Sequence, residues 1–121
     1  MNVHNMKNIE IINSKKTINY QESVKIMENR VRDIFEGKKN ELIWFLNHDH
    51  IYTQGTSSSN NEIVNNNFKI PILKTNRGGK TTYHGPGQRI VYLLINLNKR
   101  KKDIKKFTSI IESSTIKLLK K

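Results

Sequence analysis

Apolar and polar residues follow one another along this chain in several rhythms, and each rhythm predicts an element. The cluster Asn8-Ile9-Glu10-Ile11-Ile12 suits a short first strand. Asn19-Tyr20-Gln21-Glu22 has the form of a capping box, a polar cap with a carboxylate three residues on, so a helix is expected to open there. Tyr20, Val24, Met27, Val31, Ile34 and Phe35 recur at helical spacing and mark one face, and Gly37 is well placed to end it. Leu42-Ile43-Trp44-Phe45-Leu46 is continuously apolar and too short for a helix, which predicts a buried strand. Over 54–67 the chain turns polar and rich in Ser and Asn, as a surface loop does, with a short helical turn expected at 62–65. Strands are expected again over 70–75 and 89–97. Over 103–121, Ile104, Phe107, Ile110, Ile111 and Leu118 repeat as on an amphipathic helix. The resulting order is strand, helix, strand, loop, strand, glycine hairpin, strand, helix, with several neighbouring strands able to pair antiparallel. It predicts one α+β domain, or part of one, built on a mixed sheet with flanking helices.

Between the last two strands, residues 77–88 read Arg-Gly-Gly-Lys-Thr-Thr-Tyr-His-Gly-Pro-Gly-Gln. Glycine is used where a backbone takes φ > 0 or approaches something closely, so Gly78, Gly79, Gly85 and Gly87 suggest a main chain pressed against a ligand or a neighbouring strand. Arg77, Tyr83 and His84 give that backbone chemistry to offer, on what reads as a loop presented by two strands. On purely structural grounds Gly85-Pro86-Gly87 is a tight turn. A phosphate loop is disfavoured, because the full Gly-Lys-Ser/Thr spacing is missing and a strand rather than a helix follows.

This segment resembles the signature of the octanoyltransferase family, also called lipoyl(octanoyl) transferase or lipoate-protein ligase B. Upstream, Asn47-His48-Asp49-His50-Ile51-Tyr52-Thr53-Gln54-Gly55 is similar to the family's E-H-x-x-x-Y-T-x-G, with Asn47 in place of the glutamate. Downstream the agreement continues through Tyr92, Asn96 and Leu97, so it covers nearly the whole chain. The resemblance implies a partial biotin and lipoate protein ligase-like fold, residues 1–121 being the N-terminal portion of a single catalytic domain. It implies transfer of an octanoyl group from octanoyl-loaded acyl carrier protein to a lysine on a lipoyl domain, of a 2-oxoacid dehydrogenase or of the glycine cleavage H protein. It further implies that Arg77, Gly78, Gly79, Lys80, Thr81, Thr82, Tyr83 and His84 line the acyl pocket, with backbone N–H groups near the thioester carbonyl where they can stabilise an oxyanion. No cofactor is expected. The family's cysteine nucleophile, and the lysine thought to lower its pKa, lie in the half of the fold after the matched region. This sequence has no cysteine, so both are expected beyond Lys121 and the chain alone is expected to be inactive. No Gly or Asn cap follows Leu118-Leu119-Lys120-Lys121, which points to a cut chain, although lysines in a last turn also suit the helix dipole of a natural end.

Other polar residues offer weaker chemistry. His48 and His50 would share a face of an extended segment, and with His84 they form a conceivable three-histidine metal site. The alternative for His48 is hydrogen bonding that supports the pocket wall, and for His84 a polar role beside the substrate or a structural hydrogen bond. Ser57, Ser58 and Ser59 sit in a polar run without a nucleophile elbow. Lys74 and Lys80 read as solvated surface lysines rather than amine nucleophiles.

Charge adds a partner class. The formal net charge is +12, from 22 basic and 10 acidic residues, and its densest block is Lys99-Arg100-Lys101-Lys102 with Lys105 and Lys106. An acidic partner fits, and so does a surface merely solvated by lysine. A noncatalytic basic module that binds acyl carrier protein or a lipoyl domain is the alternative function. Nucleic acid is disfavoured, since Trp44, Phe45 and Tyr52 fall in expected strands rather than among the basic residues. With no apolar run of ~18 residues, no signal-like N-terminus and no cysteine, a cytoplasmic protein that is not a membrane protein is expected.

Overall fold

The computed structural model describes residues 9–100 and 103–120. Asn8 of the expected first strand, Lys101 and Lys102 of the basic block, and Lys121 at the end of the last helix lie outside the described residues. Strand β1 (Ile9–Thr17) runs parallel to β2 (Glu41–Asn47), with Ile9 opposite Glu41 and Asn13 opposite Phe45, before the register shifts ahead of Thr17. Helix α1 (Tyr20–Phe35) supplies the crossover that a parallel pair requires. On its other side β2 pairs antiparallel with β6 (Ile90–Leu94), Trp44 lying opposite Tyr92. A second sheet has β3 (Ile51–Gln54) at its centre, parallel to β4 (Ile72–Lys74) and antiparallel to β5 (Thr82–His84). The architecture is therefore α+β, two three-stranded mixed sheets with two helices.

The core sits where α1 covers the first sheet. Alternation along β2 turns Leu42, Trp44 and Leu46 to one face, where they join Leu94 and are all but fully buried. Ile18, Met27, Ile34 and Tyr92 pack against them. Each such side chain contributes about 1.5–3 kcal/mol of burial free energy. The helix begins at Asn19, whose side chain accepts the Glu22 N–H at 3.1 Å, and its end is followed by Gly37 at φ +74°. The buried stripe of α1 is rotated from the face expected from sequence. Ser23 is wholly buried beside Met27 and Ile34, while Phe35 is 79% exposed. A small residue at 23 lets the helix lie close, and the Ser23 hydroxyl satisfies itself on the Tyr20 carbonyl at 2.6 Å.

Several expectations are corrected. β1 extends well beyond Ile12, since Asn13 to Thr17 add polar residues on a sheet edge where no apolar rhythm is needed. β1 with β2, and β3 with β4, pair in parallel beside antiparallel partners, so the pairing is mixed as expected but is divided between two sheets. The strands around 70–75 and 89–97 form no hairpin. They shrink to β4 and β6, in different sheets, and the glycine-rich segment holds a strand of its own, β5. The helical turn of the polar loop falls at Asn60–Glu62 rather than 62–65.

After β6 a 3₁₀ turn (Leu97–Arg100) is tied back to β2. The buried Glu41 carboxylate takes both Arg100 guanidinium nitrogens, at 2.6 and 3.0 Å, and the Asn96 N–H. Helix α2 (Ile104–Leu119) follows, capped by the Asp103 carboxylate accepting the Lys106 N–H at 3.0 Å. Its apolar residues stay in solvent, Ile104 being 63% and Ile110 54% exposed.

Candidate functional site

The glycine-rich segment is folded around Gly55, at the end of β3. A Cβ there would fall 2.8 Å from the Gly78 carbonyl oxygen and 2.7 Å from Arg77 Nη1, so only glycine admits the loop at this spacing. The loop is stitched down by Thr56 N–H to Arg77 O at 2.9 Å and Ser57 N–H to Gly79 O at 3.1 Å. Arg77 then reaches back across the sheet. Its Nη2 donates to Thr53 O at 2.7 Å, to Thr53 Oγ1 at 2.8 Å and to Thr82 Oγ1 at 3.0 Å, and its Nη1 donates to Gly78 O at 2.9 Å. Thr81 anchors the polar loop, giving its N–H and hydroxyl to Glu62 Oε1 at 3.1 and 2.8 Å. The Thr81 hydroxyl, then the N–H groups of Thr81 and Ser59, hold that carboxyl below its ordinary range. Lys80 is exposed.

Alternation along β5 divides the remaining motif residues between two faces. Tyr83 goes to one, against Tyr52, and its hydroxyl bonds His50 Nδ1. His84 goes to the other, where its ring stacks on Tyr20 at 6.1 Å and lies 5.8 Å from His48. The turn that follows has Pro86 at its second position and Gly87 at φ +85° at its third, closed by Gln88 N–H to Gly85 O at 3.1 Å, the pattern of a type II turn. Through it Gln88 comes to accept from His84 Nδ1 at 3.2 Å.

His48 is wholly buried between the two sheets. Its Nδ1 faces the Ile18 carbonyl oxygen at 2.7 Å, which can only accept, so that nitrogen carries the proton. Nε2 is therefore the acceptor, and the Tyr92 hydroxyl donates to it at 2.8 Å. Burial holds His48 below the ordinary histidine range, the Ile18 carbonyl opposes, and nearby His84 adds to the lowering. Burial, and then Tyr20, push the Tyr92 phenol up to about 12. Tyr20 meets His48 edge-on at 5.2 Å, and burial raises its phenol against the pull of the Arg77 charge.

These side chains close one end of a groove of about 860 Å³ that runs between α1 and the chain from Leu73 to Arg77. Tyr20, Arg77 and Tyr92 give that end its polar groups, and Val24, Met27, Val31 and Leu73 make an apolar stripe beyond, flanked by Gln21, Lys25, Glu28, Lys74, Thr75 and Asn76. A mostly apolar cleft with a few convergent polar groups is the usual form of a small-ligand site. Of the eight residues singled out in sequence, Arg77 alone lines the groove; Thr82 is bonded to it from behind, His84 stacks on the groove residue Tyr20, and Gly78 and Gly79 lie in the loop folded onto Gly55. Thr81 fixes the neighbouring loop, Lys80 points to solvent, and Tyr83 lies on the opposite face. His50 is carried to that face too, away from His48 and His84. Among the described residues no group of three His, Asp or Glu is arranged to hold a metal ion. The groove-lining residues of α1 were legible only as helix face, and Tyr92 only as strand, because a groove made by distant segments leaves no local spacing in the sequence. Among the described residues no helix is long and apolar enough to cross a membrane.

Residues 19–121 match the model of the lipoyl protein ligase A/B catalytic domain. The chain is 45% identical over 113 residues to an octanoyltransferase of Wolbachia sp. subsp. Brugia malayi, covering 93% of this chain and 54% of that protein. It is 41% identical over 102 residues to an octanoyltransferase of Sinorhizobium medicae, covering 84% of this chain and 38% of the relative. An octanoyltransferase of Ehrlichia chaffeensis is 47% identical over 85 residues, which are 70% of this chain and 39% of that protein. The chain thus spans about half the length, or less, of the curated relatives it matches. With a family model covering most of its residues, the chain belongs to the lipoyl protein ligase A/B catalytic domain family.

Proposed function

We propose that this chain forms the acyl-binding part of an octanoyltransferase, acting in the cytoplasm to move an octanoyl group from acyl carrier protein to a lysine of a lipoyl domain. The observation that carries the reading is the meeting of Tyr20, Arg77 and Tyr92 at one end of a groove with an apolar stripe along α1, Arg77 being held by Thr82 and Tyr20 by His84. The thioester carbonyl lies at the Tyr20 and His84 end, and the alkyl chain runs past Val24, Met27, Val31 and Leu73. From Val24 to Val31 the helix advances about 10 Å, a span suited to a chain of medium length. Gly78, Gly79 and Lys80 offer backbone N–H groups to the carbonyl, and Tyr83 braces the strand from behind.

Complete transfer has two steps. A thiolate attacks the thioester carbon and the carrier's thiol leaves; then the lysine amine attacks the new thioester, forms the amide and releases the thiolate. Both steps need a cysteine, and none of the 121 residues is one. The chain therefore binds the acyl group and transfers nothing by itself. The test is to incubate it with octanoyl acyl carrier protein and a lipoyl domain and weigh the domain by mass spectrometry. The expected mass is unchanged, while octanoyl-pantetheine shifts the NMR signals of Tyr20 and His84. Acylation above background sinks the first statement, and unmoved signals sink the second.

The net charge of +12 favours a second reading, a noncatalytic module that holds acyl carrier protein or a lipoyl domain by its basic face. Binding that needs no octanoyl load and weakens steeply with ionic strength supports that module, whereas no binding at low salt removes it.

A further inference from the structure

We propose that the Tyr20 hydroxyl is the hydrogen-bond donor that holds the acyl carbonyl oxygen at the closed end of the groove, which makes Tyr20 a catalytic residue of the transfer. The inference rests on the acyl-groove reading above.

Gln21 and Asn76 also line the groove, but the ring and guanidinium groups packed around Tyr20 are already committed. The Tyr92 hydroxyl donates to His48 Nε2, and His48 Nδ1–H donates to the Ile18 carbonyl. His84 Nδ1–H is directed at Gln88 Oε1, which leaves the neutral ring only an acceptor at Nε2. The guanidinium of Arg77 is spread over Gly78, Thr53 and Thr82. Tyr20 lines the groove beside them, and its hydroxyl meets no acceptor among the described residues. Its ring is fixed all the same. His84 stacks on it at 6.1 Å, His48 meets its edge at 5.2 Å, and its own carbonyl accepts from the Ser23 hydroxyl in the capped first turn of α1. Burial raises its phenol, so the proton stays on at neutral pH and the group remains a donor.

A rigid donor without an acceptor, at the head of an apolar channel, matches a ligand with one acceptor oxygen on an alkyl chain. A thioester carbonyl has that form. When a thiolate attacks, the C=O π pair moves to oxygen and the Tyr20 hydrogen bond strengthens with the growing charge. On collapse the pair returns, the C–S bond breaks and the departing sulfur takes its electrons. Tyr20 keeps its proton throughout, with the nearby Arg77 charge adding to the field on the oxyanion.

The experiment uses octanoyl-pantetheine carrying ¹³C at the carbonyl, bound to the unaltered chain, which offers it no thiol, and read by difference infrared spectroscopy. The bound carbonyl band is expected at a lower wavenumber than in the Tyr20→Phe variant, with affinity falling roughly three- to tenfold on loss of one hydrogen bond. Tyr52→Phe, on the opposite face against Tyr83, is expected to leave the band where it is in the unaltered chain. A band that stays put in a folded Tyr20→Phe variant, or that moves in Tyr52→Phe instead, overturns the assignment. If neither variant folds, a bound carbonyl in the unaltered chain with the frequency of a carbonyl free of hydrogen bonds overturns it as well. Failure of the thioester to bind at all removes the acyl-groove reading itself, and this inference with it.

Discussion

Asn47 stands where the octanoyltransferase pattern has a glutamate, and its surroundings show what the amide does. Its Oδ1 accepts from Arg89 Nη1 at 2.7 Å, and Arg89 also grips Ser14 O and the Asn13 amide, so it joins β1 to the end of β2. Asn47→Glu turns that contact into an exposed ion pair worth about 0.5 kcal/mol, expected to raise the melting temperature by roughly 2–4 °C at low salt and less at high salt. Glu41 carries a larger stake. Burial pushes its carboxyl up, but the hydrogen bonds from Arg100 and Asn96 and the charges of Arg100 and Lys99 together bring it below its ordinary 4.5. A carboxyl depressed in the folded state adds stability above pH 4.5 that is lost as pH falls through the folded value. His48 behaves in the same direction from 6.5 downward, because its buried ring resists a proton that the unfolded chain accepts. Melting temperatures are therefore expected to fall in two stages on acidification. Glu41→Gln should remove the lower stage and cost about 1–3 kcal/mol at neutral pH by taking away the charge that Arg100 and the Asn96 N–H bond.

At the scale of elements, the glycine-rich segment matters through what it lies on. Gly55→Ala adds only a methyl group, yet that group meets two main-chain carbonyls as well as the Arg77 guanidinium. It is expected to cost about 1–3 kcal/mol and to weaken thioester binding by displacing Arg77, measured by thermal melts and titration on the same sample. An unchanged affinity would detach the loop from the site. Helix α1, strand β2 and the family carried by residues 77–88 were legible in the sequence because each is written locally, in a cap, an apolar run and a motif. Parallel pairing, the strand inside the glycine-rich segment and the polar extension of β1 were not, since they depend on which distant strand supplies the partner. The inner stripe of α1 was misread for a related reason. Hydrophobicity marks Phe35 more strongly than Ser23, but close approach to the sheet selects the smaller residue.

On the scale of the whole molecule, α2 is an amphipathic helix most of whose apolar residues are exposed. Ile104, Ile110, Ile116, Leu118 and Leu119 are each more than half exposed. A surface of this kind associates in water, so sedimentation is expected to show concentration-dependent self-association. Replacing Ile110 and Ile111 by Ser should give a single monomeric boundary with little change in melting temperature, because neither side chain contributes to the core around Trp44.

The groove has one wall from α1, a floor at Tyr92 of the first sheet, and its other wall from the end of the second sheet. Among the described residues, the ring contacts that cross that division are those of His84 with Tyr20 and His48. A molecule lying in the groove touches both sheets at once. It acts as a splint as well as a substrate, and loading should make the two sheets melt together, at a temperature that climbs with ligand concentration.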